Sequence, residues 1–263
     1  MSSLFIKNVN ILNPFSDEIL DERNVFIKGN KIESVGVNET TLVGSYKVID
    51  GQDAFLLPGF IDSHAHIMAN GFHKEDTMKN PLALHFYGAL SNMKATLNAG
   101  VTSVRDCGLA DIGVKMAQER GMFRSPRLNI SVHPLSITGG HFDFYLNSGF
   151  DMEIKYPGYP SGVCDGVEEV LKKTRQVIRS QADFIKIMAS GGGLSTYTSP
   201  DYPQFNSKEL ATIVNEAKAN GLNVVAHCHS LKGMNNCIKV GVKSIEHGTF
   251  IDRKTAQAIA KKR

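Results

Sequence analysis

The strongest constraint on the fold is an alternation of apolar, strand-like runs with helical segments that repeats from Phe55 onward. The first unit pairs the run FLLPGFIDSHAHI with the helical segment PLALHFYGALSNMKATLNAG, and we count six such units before the sequence ends. Strands that alternate with helices are typical of a parallel sheet covered by helices. The sequence therefore predicts an α/β fold. It is either an open sheet of six units or a TIM-like (β/α)8 barrel that is truncated after about six of the eight strand–helix units that a complete barrel needs.

The first 55 residues follow a different pattern. They are composed of short strand-like runs, and NVFIKGNKIESVG predicts two strands joined by a Gly-Asn hairpin turn. We therefore expect a small β module at 1–55 and the α/β domain at 56–263.

Local signals mark helix ends in the α/β domain. Asn206 and Glu209 have the spacing of a capping box at a helix start. Four glycines stand where a helix-ending residue is expected: Gly100, Gly121, Gly221 and Gly241.

Composition argues against several classes of protein. The net charge is only +3 and the basic residues are dispersed apart from a terminal KKR, so we expect no nucleic-acid binding. No apolar run approaches the roughly 18 residues of a membrane span, and MSSLFIKNVN lacks the order of a signal peptide. The four cysteines show no paired spacing, which predicts reduced thiols in a cytoplasmic protein.

Histidines gather at the ends of the predicted strands. His64 and His66 are one residue apart in LLPGFIDSHAH, so they share one side of an extended strand. The run VVAHCHS repeats this spacing with His227 and His229, and His247 follows in SIEHGT. A single histidine near a core is usually a hydrogen-bonded structural group. The whole set, placed where barrel enzymes keep their sites, predicts a site for zinc or another borderline metal.

Lys186 is the other unusual residue. It lies between Ile185 and Ile187 in ADFIKIMASGG, a run that predicts a buried parallel strand. An unpaired buried ammonium is costly, so this lysine is expected to be paired, neutral or chemically altered. The residues leave open an ion pair with Asp106 or Asp183 and a nucleophilic, Schiff-base lysine of an aldolase-type barrel.

Six motifs together resemble the amidohydrolase superfamily: PGFIDSHAH, GVTSVRDCG, SITGGH, ADFIKIMASGG, VVAHCHS and SIEHGTF. More narrowly, they resemble its Xaa-Pro dipeptidase / imidazolonepropionase-like branch of metal-dependent hydrolases, and they cover nearly the whole chain. The resemblance implies a TIM-like barrel. It also implies a small N-terminal β-sandwich module, which the family normally completes with strands from the far C-terminus.

The resemblance implies two divalent metal ions, with zinc expected, and five ligands: His64, His66, Lys186, His227 and His247. His64 and His66 resemble the ligands of the more buried metal. Lys186 matches a lysine that the family carboxylates with carbon dioxide, which turns a buried cation into an anion that bridges both metals. His227 and His247 resemble the ligands of the second metal.

Further residues resemble groups that meet the substrate. His141 in SITGGH is the expected catalytic residue near the site, although a loop histidine that caps a turn is an equal alternative. Arg105 and Tyr197 are candidate holders of a substrate carboxylate. For Arg105 the alternative interpretation is a structural ion pair, and for Tyr197 it is packing of a mobile loop. His229 is not expected to be a ligand, and a supporting role, a substrate contact or no role stays open.

The implied reaction is metal-assisted hydrolysis of C–N bonds in dipeptides or N-acyl amino acids, in which a hydroxide shared by the metals attacks the carbonyl. The expected partner is thus a small-molecule or dipeptide substrate. An imidazolonepropionase- or deaminase-like ring hydrolase is one alternative. Lys186 weighs against a deaminase, because deaminases of the superfamily usually manage with one metal and no bridging lysine. A non-catalytic homologue is the other alternative.

The family also places a metal-binding, proton-transferring aspartate at the end of an eighth strand. Residues 1–263 do not reach that strand. We therefore expect a piece of a longer hydrolase, completed by a C-terminal segment or by another polypeptide. A homo-oligomer is a further expectation.

Overall fold

The computed structural model describes residues 3–16, 18–69, 79–193, 195 and 197–262. The chain divides into two compact units, Met1–Gly59 and Phe60–Arg263. The change from short strands to strand–helix units, expected at Phe55, thus comes close to the division between them.

The first unit contains a four-stranded sheet in the order β3-β2-β1-β4. Its strands are β1 (Ser3–Leu12), β2 (Ile19–Lys28), β3 (Lys31–Val35) and β4 (Tyr46–Leu56), and a short 3-10 helix covers Glu39–Thr41. The predicted hairpin is confirmed, because β2 and β3 are antiparallel and Lys28 pairs with Lys31 across the turn. Gly29 in that turn has a φ of 64°, which glycine adopts without strain.

The expected β-sandwich is not formed by the described residues of this unit. β1 pairs with β2 on one edge and with β4 on the other, so all four strands lie in one layer. Phe5, Val9 and Val25 are its buried side chains, whereas Ile32 is 68% exposed. A sandwich requires a second sheet, and these four strands supply only one.

The second unit contains all six predicted strand–helix units. Its strands are β5 (Phe60–Ala65), β6 (Val101–Asp106), β7 (Arg127–Ile130), β8 (Ile185–Met188), β9 (Val224–Cys228) and β10 (Ser244–His247). Its helices are α1 (Leu82–Asn98), α2 (Ile112–Glu119), α3 (Gly166–Arg179), α4 (Ser207–Ala219), α5 (Leu231–Val240) and α6 (Arg253–Ala260).

The six strands run parallel, in two groups of three. β5-β6-β7 and β8-β9-β10 are the groups, and a parallel bridge between Leu135 and Ile187 links them. Leu135 N–H donates to the carbonyl of Lys186 at 2.9 Å, so the segment after β7 joins the two groups. The strands from β5 to β10 thus form one curved row, which we call the arc. Pairing between β5 and β10 is not found in the described ranges, and closure into a barrel stays a prediction.

The core explains why these runs become strands. Every residue of β8 and of β9 is buried, as expected for parallel strands covered by helices. Packed against the sheet are apolar helix residues such as Leu210, Ile213 and Met234. None of the helices in the described ranges is long and apolar enough to cross a membrane. All four cysteines are buried and free.

The predicted helix signals are confirmed. Asn206 accepts from the N–H of Glu209 at 3.1 Å, and Glu209 accepts from the N–H of Asn206 at 2.7 Å, which completes the capping box of α4. The four predicted helix-ending glycines all have positive φ, at 87°, 66°, 73° and 87°: Gly100, Gly121, Gly221 and Gly241.

Candidate metal centre

Three histidines meet at the carboxyl ends of β9 and β10. The ligand atoms of His227, His229 and His247 all lie within 4.8 Å of one another. The ring centroids of His227 and His247 are 4.7 Å apart, and the ring of His229 stacks on that of His247 at 5.0 Å. His229, which the sequence did not suggest as a ligand, therefore belongs to this cluster, because alternation along the strand places it on the same side as His227.

His64 of β5 and His66, which directly follows that strand, reach the same place. The ring of His64 lies 4.7 Å from that of His247 and 5.5 Å from that of His66. β5 and β10 are the outermost strands of the arc, so the arc curves enough to bring its two ends together around these side chains. A second group of ligand atoms within 4.8 Å of one another comes from His64, Cys107 and Glu246.

Backbone carbonyls fix the protons of two of the rings. Nδ1 of His66 lies 3.2 Å from the carbonyl oxygen of Gly108, and Nε2 of His227 lies 3.0 Å from that of Gly191. A carbonyl oxygen can only accept, so each of these nitrogens carries the proton of the neutral ring. The lone pairs are then on Nε2 of His66 and on Nδ1 of His227.

His66, His227 and His247 are neutral at neutral pH, although only His227 is buried, His66 is half-buried and His247 is exposed. Burial lowers the pKa of His66 to about 4 and the pKa of His227 to about 2. Partial burial also lowers the pKa of His247 to about 4, with help from the neighbouring His64 and Lys186. Only a neutral imidazole can donate a lone pair to a metal, so these rings are in the state that a metal site requires.

Lys186 lies inside the arc on β8. It is 1% exposed, and its Nζ makes no hydrogen bond of normal geometry with any residue that the structure describes. The thiol of Cys107 and the carboxylate of Glu246 are among the groups that face it. Burial lowers the pKa of Lys186, which favours the neutral amine over the ammonium ion.

The ion pair considered for Lys186 is not formed with Asp183. Asp183 pairs instead with Lys115 at 2.5 Å and accepts a hydrogen bond from the N–H of Ile130 at 2.8 Å. Asp183 precedes β8, so it lies at the amino end of the strand that carries Lys186.

Asp106, the other expected partner, organises the backbone next to the histidines. Its carboxylate is fully buried and accepts from the N–H groups of Ile67 at 2.6 Å, Gly108 at 3.0 Å and Ala110 at 3.2 Å. Burial raises the pKa of Asp106 to about 7 although these three hydrogen bonds oppose the rise. Ile67 directly follows His66 in the chain, and the carbonyl of Gly108 accepts from the ring of His66. Because Asp106 binds the backbone of both residues, it supports His66 from two directions.

A second polar network lies beside His64. Glu246 is 7% exposed and contacts Nδ1 of His64 at 2.7 Å through Oε2. Its Oε1 accepts from Arg105 at 2.7 Å and from the hydroxyl of Ser244 at 2.6 Å. Burial raises the pKa of Glu246, but the hydrogen bonds from His64 and Ser244 and the charge of Arg105 lower it to about 2.

This network bears on Arg105, which the sequence suggested as a holder of substrate carboxylate. In the structure the guanidinium group pairs with the carboxylate of Glu246 and donates to the carbonyl of Ser63. The alternative interpretation of Arg105, a structural ion pair, is therefore the one that the structure contains. Sequence reasoning missed Glu246. The available signal was a charged residue directly before His247 in the apolar run SIEHGT.

His141 lies on the long segment after β7 and reaches the histidine cluster. Its ring stacks on that of His227 with a centroid distance of 4.2 Å and an interplanar angle of 20°. Its Nδ1 is 2.6 Å from the hydroxyl oxygen of Ser195, and its backbone N–H donates to Oε1 of Gln204 at 3.2 Å. Ser195 thus holds the ring of His141 beside the cluster, and Gln204 holds its backbone.

A cavity of about 680 Å³ is lined in part by residues of the segment that carries His141, including its chain neighbour Phe142. Its lining includes the aromatic side chains of Phe142, Phe144, Tyr145 and Tyr197. Tyr197 is 39% exposed, so its ring lines this cavity without being fully packed. The cavity offers an apolar, aromatic surface of the kind that small-molecule sites use, and none of the candidate metal ligands is among its lining residues.

The sequence profile of the Amidohydrolase family matches residues 55–261. The chain belongs to the amidohydrolase family. Ochratoxinase from Aspergillus niger is 34% identical over 223 residues, a match that covers 79% of this chain and 46% of the relative.

Solved structures extend the likeness over the whole fold. A prolidase in complex with N-methylphosphonate-L-proline is 31% identical with a TM-score of 0.90, and the match covers 99% of this chain and 64% of that chain. A Xaa-Pro dipeptidase with methionine bound in its active site is 30% identical with a TM-score of 0.85, covering 99% and 65%. The chain therefore spans about half the length of the curated relatives it matches and about two thirds of the solved ones.

Proposed function

We propose that this amidohydrolase-family protein hydrolyses C–N bonds in dipeptides or N-acyl amino acids with the help of two divalent metal ions. The observation that carries the proposal is the buried amine of Lys186, which makes no hydrogen bond of normal geometry with the described residues and lies close to His66 and His247. The relatives named prolidase, Xaa-Pro dipeptidase and ochratoxinase support this class of substrate.

The residues present fit a pair of metal ions. The proposed ligands are those expected from the sequence: His64, His66, Lys186, His227 and His247. A neutral lysine amine adds to carbon dioxide and releases one proton, which leaves a carbamate with one negative charge. This change would replace an unpaired buried nitrogen by an anion suited to two cations, and it accounts for a lysine in an otherwise apolar strand. His229 is an additional nitrogen donor at the same cluster.

Divalent metals bound in such a site polarise a carbonyl group and lower the pKa of water towards neutrality. The chain contributes orientation. Gly108 and Gly191 hold the protons of His66 and His227 so that the opposite nitrogens carry lone pairs. His141, stacked on His227, lies where it can contact a substrate held at the cluster. Tyr197 and its aromatic neighbours provide the wall against which the rest of the substrate would lie.

The test combines metal analysis with hydrolysis. The purified protein is supplied with zinc, manganese or cobalt and bicarbonate. Its metal content is then measured by mass spectrometry, and a panel of dipeptides and N-acyl amino acids is assayed. Two metals per chain, a mass increment of one carbon dioxide on Lys186 and metal-dependent release of amino acid are expected. Turnover without metal, together with trapping of a carbonyl substrate on Lys186 by borohydride, would replace the proposal by Schiff-base chemistry.

A further inference from the structure

The carboxylate of Glu246 lies between an arginine and one of the proposed metal ligands. We propose that Glu246 is a positioning residue of the metal site: it fixes the proton of His64 on Nδ1, so that the Nε2 lone pair faces the metal, while Arg105 holds the carboxylate in place. This inference rests on the proposed metal-dependent function and assigns a role to a residue outside the ligand set.

The first step is the state of His64. Oε2 of Glu246 lies 2.7 Å from Nδ1 of His64. An ionised carboxylate can only accept a hydrogen bond, so Nδ1 must carry the proton. A neutral imidazole has a single N–H, which leaves the lone pair on Nε2. Within the described part of the chain, Nε2 of His64 makes no hydrogen bond, so that lone pair is available.

The second step is the fixation of the carboxylate. Oε1 of Glu246 accepts from Nη2 of Arg105 at 2.7 Å and from the hydroxyl of Ser244 at 2.6 Å. Nε of Arg105 donates to the carbonyl of Ser63 at 2.7 Å. Arg105 therefore ties Glu246 to the backbone directly before His64, and the network controls both the ring and the strand that carries it.

The third step is a comparison of the hydrogen-bond acceptors of His64, His66 and His227. His66 and His227 each donate to a backbone carbonyl, whereas His64 donates to a charged carboxylate. A carboxylate behind the ring raises the basicity of the imidazole more than a neutral carbonyl does, and such partners commonly alter metal affinity by about 10–100-fold. If the ion pair between Arg105 and Glu246 were only structural, Oε2 of Glu246 would not need to contact His64, which is a proposed metal ligand.

The experiment measures binding of Co²⁺ to the purified full chain, by equilibrium dialysis and by the visible spectrum of the bound ion. Glu246→Gln keeps the size of the side chain and removes its charge, so it should weaken Co²⁺ binding by about 10–100-fold and alter the spectrum. Glu246→Asp keeps the buried charge but draws the carboxylate back from His64. It should also weaken binding, and it serves as the second variant where the Gln protein does not fold.

Two controls separate positioning from stability. Asp183→Asn removes a carboxylate that pairs with Lys115 in the same unit, and its Co²⁺ affinity should stay at the wild-type value. In a His64→Ala background, Glu246→Gln should change Co²⁺ affinity little, since its effect is exerted through His64.

Wild-type affinity and spectrum in both Glu246 variants would overturn the inference. An equal loss of affinity with and without His64 would also overturn it, because the effect would not pass through that ring. If the unmodified protein binds no Co²⁺, the proposed function fails and the inference fails with it. If the unmodified protein binds Co²⁺ and hydrolyses substrate while the Glu246 variants match it, only the inference fails.

Discussion

Gly192 lies so close to the imidazole of His141 that a Cβ atom on Gly192 would be 2.3 Å from Cε1 of the ring. Real Cβ atoms do not approach other heavy atoms this closely, so a side chain at Gly192 must displace the ring. The same ring is stacked on His227 at 4.2 Å. The placement of His141 beside the candidate metal centre therefore depends on the absence of a side chain at Gly192.

We expect Gly192→Ala to lower kcat/KM by at least about tenfold, equivalent to about 1.4 kcal/mol of transition-state stabilisation. The metal content should not change, because His141 is not among the proposed ligands. Steady-state kinetics and metal analysis provide the measurement. Gly193→Ala is the matched control, since a Cβ there meets nothing within 4 Å. Equal activity of the two variants would show that the position of His141 is unimportant.

Lys186→Met tests the bridging role without leaving a large void. The amine makes no hydrogen bond of normal geometry with the described residues, so its removal should not lower the free energy of unfolding of the metal-free protein. At least one metal ion should be lost, because the carbamate can no longer form. Metal stoichiometry and urea denaturation check both statements.

Lys115→Met is the control for Lys186→Met. It breaks the 2.5 Å ion pair with Asp183, so we expect a loss of about 1–3 kcal/mol of stability with full metal content. Two metals retained in Lys186→Met would rule out a bridging lysine.

The sequence predicts the local elements of this fold well. The six strand–helix units are recognisable because each buried strand is a short apolar run and each helix carries its own end signals. Asn206 with Glu209 is an example in which both partners lie within four residues of one another. The hairpin at Gly29 is equally local, since its turn chemistry alone determines how β2 and β3 pair.

Contacts between distant segments were not predictable in the same way. Glu246 and His64 are 182 positions apart, and they meet only because the arc brings β10 back towards β5. Asp183 is three residues from Lys186 in sequence, yet it pairs with Lys115 at the other end of the strand. The types of the site residues can be inferred from motifs, but which polar group contacts which ligand depends on the curvature of the sheet.

Asp106→Asn tests the support of His66. An asparagine side chain has one acceptor oxygen, so the three backbone N–H groups that Asp106 now satisfies cannot all keep a partner. We expect a loss of about 1–3 kcal/mol in the free energy of unfolding and weaker metal binding, because Ile67 and Gly108 flank His66. Urea denaturation and Co²⁺ titration measure the two effects.

Asp201→Asn, at an exposed position, should change neither quantity and is the control for Asp106→Asn. Destabilisation of Asp106→Asn with unaltered Co²⁺ affinity would limit Asp106 to a structural role.

Tyr197→Phe tests whether the hydroxyl of Tyr197 holds a substrate carboxylate. The variant keeps the aromatic wall of the cavity and removes only the hydrogen-bond donor. For a dipeptide with a free carboxylate we expect KM to rise several-fold, consistent with the roughly 0.5–1.5 kcal/mol of one hydrogen bond. For the same dipeptide with an amidated C-terminus, wild-type and variant proteins should have the same KM. A rise in KM for both substrates would mean that the hydroxyl supports the loop rather than the carboxylate, and no rise for either would leave Tyr197 as a packing residue.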